Sequence, residues 1–399
     1  MTSRPHQPDS VMRVAFFCLS RFGGPLLCGR RLAAALGSMP EVTLAYIGSA
    51  EASYGAEDEL DRCDLQRYGI STGRGAMGNV LRSANPLSYI RVLRFVRRFR
   101  PDVIHHSAAH AWNFVLATCI RSCSSVSTIH DPIRHRGEED WLYAGVAGFE
   151  AAVADRIIVL SNAHRGALER FGVNKERVDV IPHGELGSDN AFQPPSNAGR
   201  IVFLGRLESY KGTDVLVDAF RLMRNKFPMA SLVIAGRGKL TGRLLDVTAD
   251  ERIQIRNKWL SEEEFDQLCL ESDIVVLPYL EASQSGVVAK AQALGRAVIV
   301  TDVGGLSEQV ENGKTGFVIR AGDVAALAES ITCALGNRSK LAQMAHAAWS
   351  LYRAKYAWPA LAQRTLQVYK TAVSDRAIHG PPRISKGLRA FGVGAWAQR

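Results

Sequence analysis

Ile201-Val202-Phe203-Leu204-Gly205-Arg206-Leu207-Glu208-Ser209-Tyr210-Lys211-Gly212 contains the pattern from which the rest of the chain can be read. Four apolar residues make a short strand buried on both faces. A turn bounded by glycines and carrying two cations follows, and the periodic apolar residues of 214–225 read as a helix. The same order continues downstream. Strands are expected at 231–235, 253–255, 274–277 and 297–301, with a helix at 262–269. Upstream, the apolar run 11–19 leads through Ser20-Arg21-Phe22-Gly23-Gly24 into a periodic segment, 26–36. Further strands are expected at 42–47, 103–105, 126–129 and 157–160, and a helix at 91–99. Strands that alternate with helices build parallel sheets covered on both faces.

The rhythm breaks at 185–200, where Gly187, Ser188, Asp189, Asn190, Pro194, Pro195, Ser196, Asn197 and Gly199 accumulate. That composition marks a linker. The expected architecture is therefore α/β, with two Rossmann-like doubly wound domains facing a cleft. The first would span 11–190 on the acceptor side, and the second, 198–355, would take the nucleotide. A helix at 356–372 would pack back on the first domain, and 373–399 would form a basic tail. Ligands of such sheets bind beyond the carboxyl ends of the strands.

At 399 residues, two domains are the natural count, and 47% hydrophobic against 22% charged residues suits a chain with sizeable cores. The apolar runs are too short to span a bilayer and the polar start lacks a secretion signal, so a cytoplasmic protein is expected. The seven cysteines are scattered without a CxxC pair, which fits reduced thiols and no metal site. A net charge of +10 points to anionic partners. With no recognition helix, zinc-finger spacing or aromatic RNA-binding run, nucleic acid is not expected.

Three turns in the second half could carry chemistry. Gly205 to Gly212 offers Arg206 and Lys211 ahead of a helix start, which would suit a diphosphate; an ordinary turn with two surface cations would look the same. Pro278-Tyr279-Leu280-Glu281-Ala282-Ser283-Gln284-Ser285-Gly286-Val287 is a second strand-end loop. The amides of Ser285, Gly286 and Val287 could receive a phosphate oxygen, and Glu281 could accept sugar hydroxyls or be a solvated loop carboxylate. Asp302-Val303-Gly304-Gly305-Leu306-Ser307-Glu308 is the third, with Asn312-Gly313-Lys314-Thr315-Gly316 expected as a hairpin-like turn. In the first half, Gly23-Gly24 lacks the GxGxxG spacing of a dinucleotide site. His130-Asp131-Pro132 ends a strand, followed by His135, Arg136, Glu138 and Glu139. His130 is an acid/base or sugar-binding candidate, or simply a strand-end histidine.

Together 205–212, 281–295 and 302–316 resemble the C-terminal half of a family-4, GT-B-fold retaining glycosyltransferase. Residues 20–24, His130-Asp131, 155–161 and 181–184 are similar to its first half, so the resemblance covers roughly 11–370. It implies that Arg206 and Lys211 neutralise a donor diphosphate, that Glu281 and His130 lie near the transferred sugar, and that Ser285, Gly286 and Val287 supply amides. It also implies that Gly23, Gly24 and Gly205 approach the donor, with Arg237, Gly238 and the 257–260 segment, Trp259 included, beside the base. Lys290 stands where the family has a glutamate that holds ribose hydroxyls, and lysine cannot accept those bonds. Ala282 stands at the family's other glutamate, with Glu281 one residue early. The implied donor is a nucleoside-diphosphate sugar, UDP- or GDP-linked, used without metal or cofactor. The implied acceptor is a glycan, a lipid-linked or a small molecule, in polysaccharide or glycoconjugate biosynthesis. Other GT-B activities (a phosphorylase or a nucleotide-sugar epimerase) and a non-catalytic sugar- or nucleotide-binding subunit stay open. The basic amphipathic segment 89–100 could rest on an anionic membrane at its inner face, or be an ordinary sheet-covering helix with its arginines in water.

Overall fold

The computed structural model describes residues 11–382 apart from 22, 53–59, 61–62, 64, 73–85, 131, 133–140, 171–172, 185–190, 197, 248–249 and 283. Asp131, His135, Arg136, Glu138, Glu139, Ser283, most of the linker glycine cluster, most of the acceptor-side loop 54–85 and the tail from 383 thus lie outside the described residues. The chain divides into two compact units, Met1–Pro182 with Trp358–Arg399, and His183–Ala357.

In the first unit β1 (Met12–Cys18), α1 (Gly23–Gly37), β2 (Val42–Ser49), β3 (Gln66–Ile70), α2 (Pro86–Phe99), β4 (Val103–His106) and α3 (Ala111–Cys119) follow in order. They continue as β5 (Ser124–Ile129), α4 (Trp141–Val153), β6 (Arg156–Val159), α5 (Asn162–Arg170) and β7 (Val178–Val180). The strands form one parallel sheet in the order β3-β2-β1-β4-β5-β6-β7. β1 shows why its sequence is apolar without alternation. Val14, Phe16 and Cys18 enter the core on one face, and Ala15 and Phe17 enter a second core on the other. On α2 the residues Tyr89, Val92, Val96 and Phe99 are buried while Arg91, Arg94, Arg97 and Arg98 are exposed, a stripe of helical period.

The second unit contains β8 (Arg200–Leu204), α6 (Thr213–Met223), β9 (Ser231–Ala235), α7 (Arg243–Asp246), β10 (Ile253–Arg256), α8 (Glu262–Leu270) and β11 (Ile274–Leu277). It ends with α9 (Gly286–Ala293), β12 (Ala297–Thr301), β13 (Gly316–Ile319), α10 (Val324–Gly336) and α11 (Arg338–Lys355). Its parallel sheet has the order β10-β9-β8-β11-β12-β13, so the strand order reverses between β8 and β11. Asp273 (fully buried) accepts from the Arg200 amide at 3.1 Å and from Ser196 Oγ at 3.2 Å, clamping the entry of β8 to β11.

Three expectations are corrected here. Residues 183–184 and 191–196 belong to the second unit rather than to a first domain ending at 190. Phe192 packs on His346 and Trp349, and buried Arg296 donates to the Gln193 carbonyl at 2.6 Å. Residues 312–316 do not make a hairpin. Val318 N–H donates to Asn312 Oδ1, and the loop delivers β13 parallel to β12. The final helix, α12 (Trp358–His379), packs on the first unit and runs past 372, where the basic tail was expected to start. Arg376 explains the extension: its guanidinium pairs at 2.8 Å with Asp155, whose side chain is almost fully buried. One turn and more upstream, Tyr369 Oη meets His105 Nδ1 at 2.6 Å, and His105 Nε2 meets Thr128 Oγ1 at 2.8 Å.

Candidate active site

The residues singled out in the second half converge on the carboxyl edge of the second sheet, at its switch point. The loops after β8, β9 and β11 are joined by backbone contacts. Leu207 N–H donates to the Arg237 carbonyl at 3.1 Å, Leu207 and Gly238 form a parallel bridge, and Leu280 N–H donates to the Tyr210 carbonyl at 2.7 Å. Two glycines make this possible. Gly212 has φ 68°, and a Cβ there would run into the Pro278 carbonyl. A Cβ on Gly236, at φ 148°, would run into the Gly205 carbonyl.

On this frame the two cations meet two tyrosines, Lys211 over their rings and Arg206 through a hydroxyl. Lys211 Nζ lies 3.7 Å from the centre of the Tyr279 ring and 5.0 Å from that of Tyr210. Arg206 donates to Tyr210 Oη at 2.8 Å and is exposed. Rings that restrict these side chains lower the cost of fixing them on an anion. Tyr279 is itself buried, which pushes its hydroxyl up to about 12 and keeps it neutral beside the cations.

The start of α9 differs in part from the expectation. Ser285 N–H donates to Gln309 Oε1 at 3.0 Å, Gln309 Nε2 returns a bond to the Ser285 carbonyl at 3.1 Å, and Ser285 Oγ caps the Val287 amide at 3.3 Å. The amides of Ser285 and Val287 are therefore engaged, and Gly286 N–H is left without a hydrogen bond among the described residues. Gln309, held in turn through its carbonyl by Gln292 Nε2 at 2.8 Å, is a positioning group that no motif announced. Glu281 is half-buried at the same edge.

Beyond β9 and β10, Asn257 makes a two-point contact with the Gly238 backbone, accepting at 3.1 Å and donating at 3.0 Å. Arg237 is exposed, and Trp259 is 75% exposed on the turn that enters α8. Lys290 turns away from solvent. Its residue is 5% exposed, its ammonium lies 2.7 Å from Asp266 Oδ1 on α8, and the Phe265 ring centre is 4.8 Å away. Asp266 was not among the residues picked from sequence, because one more acid on a helix that already opens with Glu262, Glu263 and Glu264 carries no signal.

In the first unit Gly23 (φ 78°) and Gly24 open α1 directly after β1. His130 is buried at the end of β5, with Nε2 2.9 Å from the Ser107 carbonyl. Sequence reasoning missed the buried polar cluster on the elements beside it. Asn113 Nδ2 donates to Glu150 Oε1 at 2.7 Å and to the Ala108 carbonyl at 2.8 Å. Burial pushes the Glu150 carboxyl up to about 8, against the hydrogen bond from Asn113. Burial holds the His106 and His110 rings down near 4, so both are neutral at pH 7. The one available signal was a lone acid inside the apolar helix α4. Among the described residues no three His, Cys, Asp or Glu side chains are grouped as a metal site.

Residues 198–337 match the family described as glycosyl transferases group 1, and 30–184 match glycosyltransferase family 4. A glycogen synthase of Mycobacterium tuberculosis is 28% identical over 296 residues, covering 69% of this chain and 70% of that protein. A D-inositol 3-phosphate glycosyltransferase of Nocardia farcinica is 28% identical over 252 residues, covering 57% of this chain and 55% of its own length. Among solved structures, a sucrose-phosphate synthase from Thermosynechococcus elongatus superposes with a TM-score of 0.70 at 17% identity, covering 91% of this chain and 99% of that one. Anabaena HepE in complex with UDP and glucose gives 0.68 at 19% identity, covering 90% and 100%. The solved structures share the two-sheet fold, and with the two matched regions the chain belongs to the family-4, GT-B-fold glycosyltransferases, enzymes that transfer a glycosyl group.

Proposed function

We propose that the second unit binds the diphosphate of a nucleoside-diphosphate sugar and that the sugar passes, with retained configuration, to a glycan, lipid-linked or small-molecule acceptor. The observation that carries this is the pair of cations, Arg206 and Lys211, steadied by Tyr210 and Tyr279 at the switch point of the sheet. Negative charge grows on the diphosphate as its bond to the sugar breaks, and cations already fixed in place stabilise it without reorganising. Gly286 N–H, at the positive end of α9, supplies a further donor. Ser285 and Val287 support that turn, Gly205 lets the β8 loop approach the ligand, and Arg237, Gly238 and Trp259 border the base. UDP is favoured over GDP because Anabaena HepE carries UDP.

Glu281 would accept hydroxyls of the sugar. In the transfer the acceptor oxygen bonds to the anomeric carbon on the face that the diphosphate leaves, and the leaving phosphate oxygen takes the acceptor's proton. The anomeric coupling constant of the product tests retention. For the diphosphate assignment, nucleoside diphosphate release from UDP-glucose and GDP-mannose is compared between wild type and Lys211→Ala. Losing a charge-assisted contact of about 1.5–3 kcal/mol should cut donor affinity or turnover roughly tenfold to a hundredfold. Unchanged affinity and turnover would remove Lys211 from the donor site.

A cytoplasmic enzyme working against the inner membrane face is the reading that α2 supports. Leu87 (66% exposed) and Ile90 (40% exposed) lie on a helix whose exposed arginines include Arg91, Arg94, Arg97 and Arg98. No described helix is long and apolar enough to cross a membrane. Co-sedimentation with anionic liposomes at low and high salt tests the contact; no binding at either salt rejects it.

A further inference from the structure

The ammonium of Lys211 meets two tyrosine rings that come from different loops. Its Nζ lies 3.7 Å from the centre of the Tyr279 ring and 5.0 Å from that of Tyr210, both within reach of a cation–π attraction. At the shorter distance there is no room for water between the ammonium and the ring. A backbone hydrogen bond ties the two loops at this point: Leu280 N–H, next to Tyr279, donates to the carbonyl of Tyr210 itself at 2.7 Å. Tyr279 has little freedom to move. It is 1% exposed, its carbonyl accepts from Thr301 Oγ1 at 2.6 Å, and its ring meets Phe203 edge-on with centroids 6.4 Å apart. Tyr210 is half-buried, and its hydroxyl accepts from Arg206 at 2.8 Å.

A carboxylate would fix an ammonium by cancelling its charge, as Asp266 does for Lys290 at 2.7 Å. A ring attracts a cation through its quadrupole and carries no net charge, so a seated ammonium keeps its full charge for an incoming anion. Burial pushes the Tyr279 hydroxyl up to about 12, so the ring stays neutral at ordinary pH. The stem of a lysine is flexible and by itself specifies position poorly. The two rings therefore define where the positive charge stands.

We infer that Tyr210 and Tyr279 form an ammonium-binding site in its own right and are the positioning residues that hold the charge of Lys211 where the donor diphosphate meets it. This rests on the diphosphate reading above. The site takes a primary alkylammonium, and Lys211 is its tethered occupant. With the tether cut, a free alkylammonium of matching length takes its place. n-Propylammonium replaces the atoms that Lys211→Ala removes, Cγ, Cδ, Cε and Nζ.

Calorimetric titration with UDP and with inorganic pyrophosphate tests this on wild type and Lys211→Ala, in n-propylammonium chloride and in sodium chloride of equal ionic strength. In Lys211→Ala, n-propylammonium should restore about tenfold in affinity for both ligands and sodium chloride none, the scale of a hydrogen bond to a charged group. Wild type, with its site filled, should not respond. Adding Tyr279→Phe, which keeps the ring face, should leave the n-propylammonium concentration for half-maximal rescue unchanged. Adding Tyr279→Leu should raise that concentration about fivefold to thirtyfold, as expected for losing a desolvated cation–π contact. Leucine leaves a gap at the buried Tyr279 position, so Tyr210→Leu, at a half-buried one, gives a second reading, with a rise of about twofold to fivefold. No rescue of Lys211→Ala, equal rescue by sodium chloride, or an unchanged half-maximal concentration in either leucine variant would overturn the inference while leaving Lys211 on the diphosphate. If Lys211→Ala binds UDP and pyrophosphate as tightly as wild type, or wild type binds neither, the diphosphate reading fails and this inference with it.

Discussion

Replacing Glu150 by glutamine should stabilise the protein, and increasingly so as pH rises. The carboxyl is fully buried on α4, and its ordinary value of 4.5 is pushed up to about 8, chiefly by burial. Between those limits the folded chain holds a proton that the unfolded chain releases. Stability from this group is therefore complete below about pH 4.5, declines as pH rises, and is fully lost above 8. At 1.36 kcal/mol for each pH unit, the decline amounts to roughly 4–5 kcal/mol. The structure also indicates where the proton sits. Asn113 donates to Oε1, and Glu150 Oε2 and Asn113 Oδ1 are both buried acceptors without a hydrogen bond. A proton on Oε2 converts one of these acceptors into a donor. Glutamine keeps the acceptor for Asn113 and the volume, supplies N–H in place of O–H, and does not titrate. Urea denaturation of wild type and Glu150→Gln at pH 5, 7 and 8.5, followed by circular dichroism, measures the difference. The variant should gain about 4 kcal/mol on wild type between the extremes, most of it before pH 8. A gap that stays constant with pH would show that Glu150 is ionised in the fold and would refute the reasoning.

Three further substitutions follow from the packing. Gly212→Ala places a Cβ against the Pro278 carbonyl at a φ of 68°, so thermal unfolding should show a loss of about 1–3 kcal/mol, with weaker UDP binding as the β8 and β11 loops separate. Arg296→Met removes the donor shared by the carbonyls of Cys269, Gln193, Leu294, Gly295 and Leu270, and should destabilise the second unit by roughly 3 kcal/mol or more in urea. Tyr369→Phe leaves His105 Nδ1 without its partner in a buried site and should cost about 1–3 kcal/mol. Because burial holds the His105 ring down at about 3, that loss should be the same from pH 5 to 8; a loss that changed over this range would mean the ring charges in the fold.

The alternation of strand, turn and helix was legible along the chain because a doubly wound sheet buries its strands on both faces. Runs such as Ile201-Val202-Phe203-Leu204 and Ile274-Val275-Val276-Leu277 then have no polar partner to obscure them. β3 was not legible: Gln66, Arg67 and Gly69 are exposed on an edge strand, where burial imposes no pattern. The cations Arg206 and Lys211 could be named from sequence because they sit within a few residues of a strand end, where local order fixes position. The switch point that brings their loop against Pro278 and Tyr279 depends on strand order, which no local pattern encodes.

The sequence by itself determined the fold class, the glycine turns and the family, since each depends on residues close together in the chain. Tertiary structure alone decided the rest. It gave Tyr279 to Lys211, Gln309 to the Ser285 amide and Asp266 to Lys290, and it joined α12 to the first unit through Tyr369 and Arg376. Each of these pairs is separated by many residues, and a side chain's charge partner is set by which helices the crossovers lay side by side. That is why lysine at position 290, read alone as an acceptor lost, is in the folded chain the partner of a carboxylate one helix away.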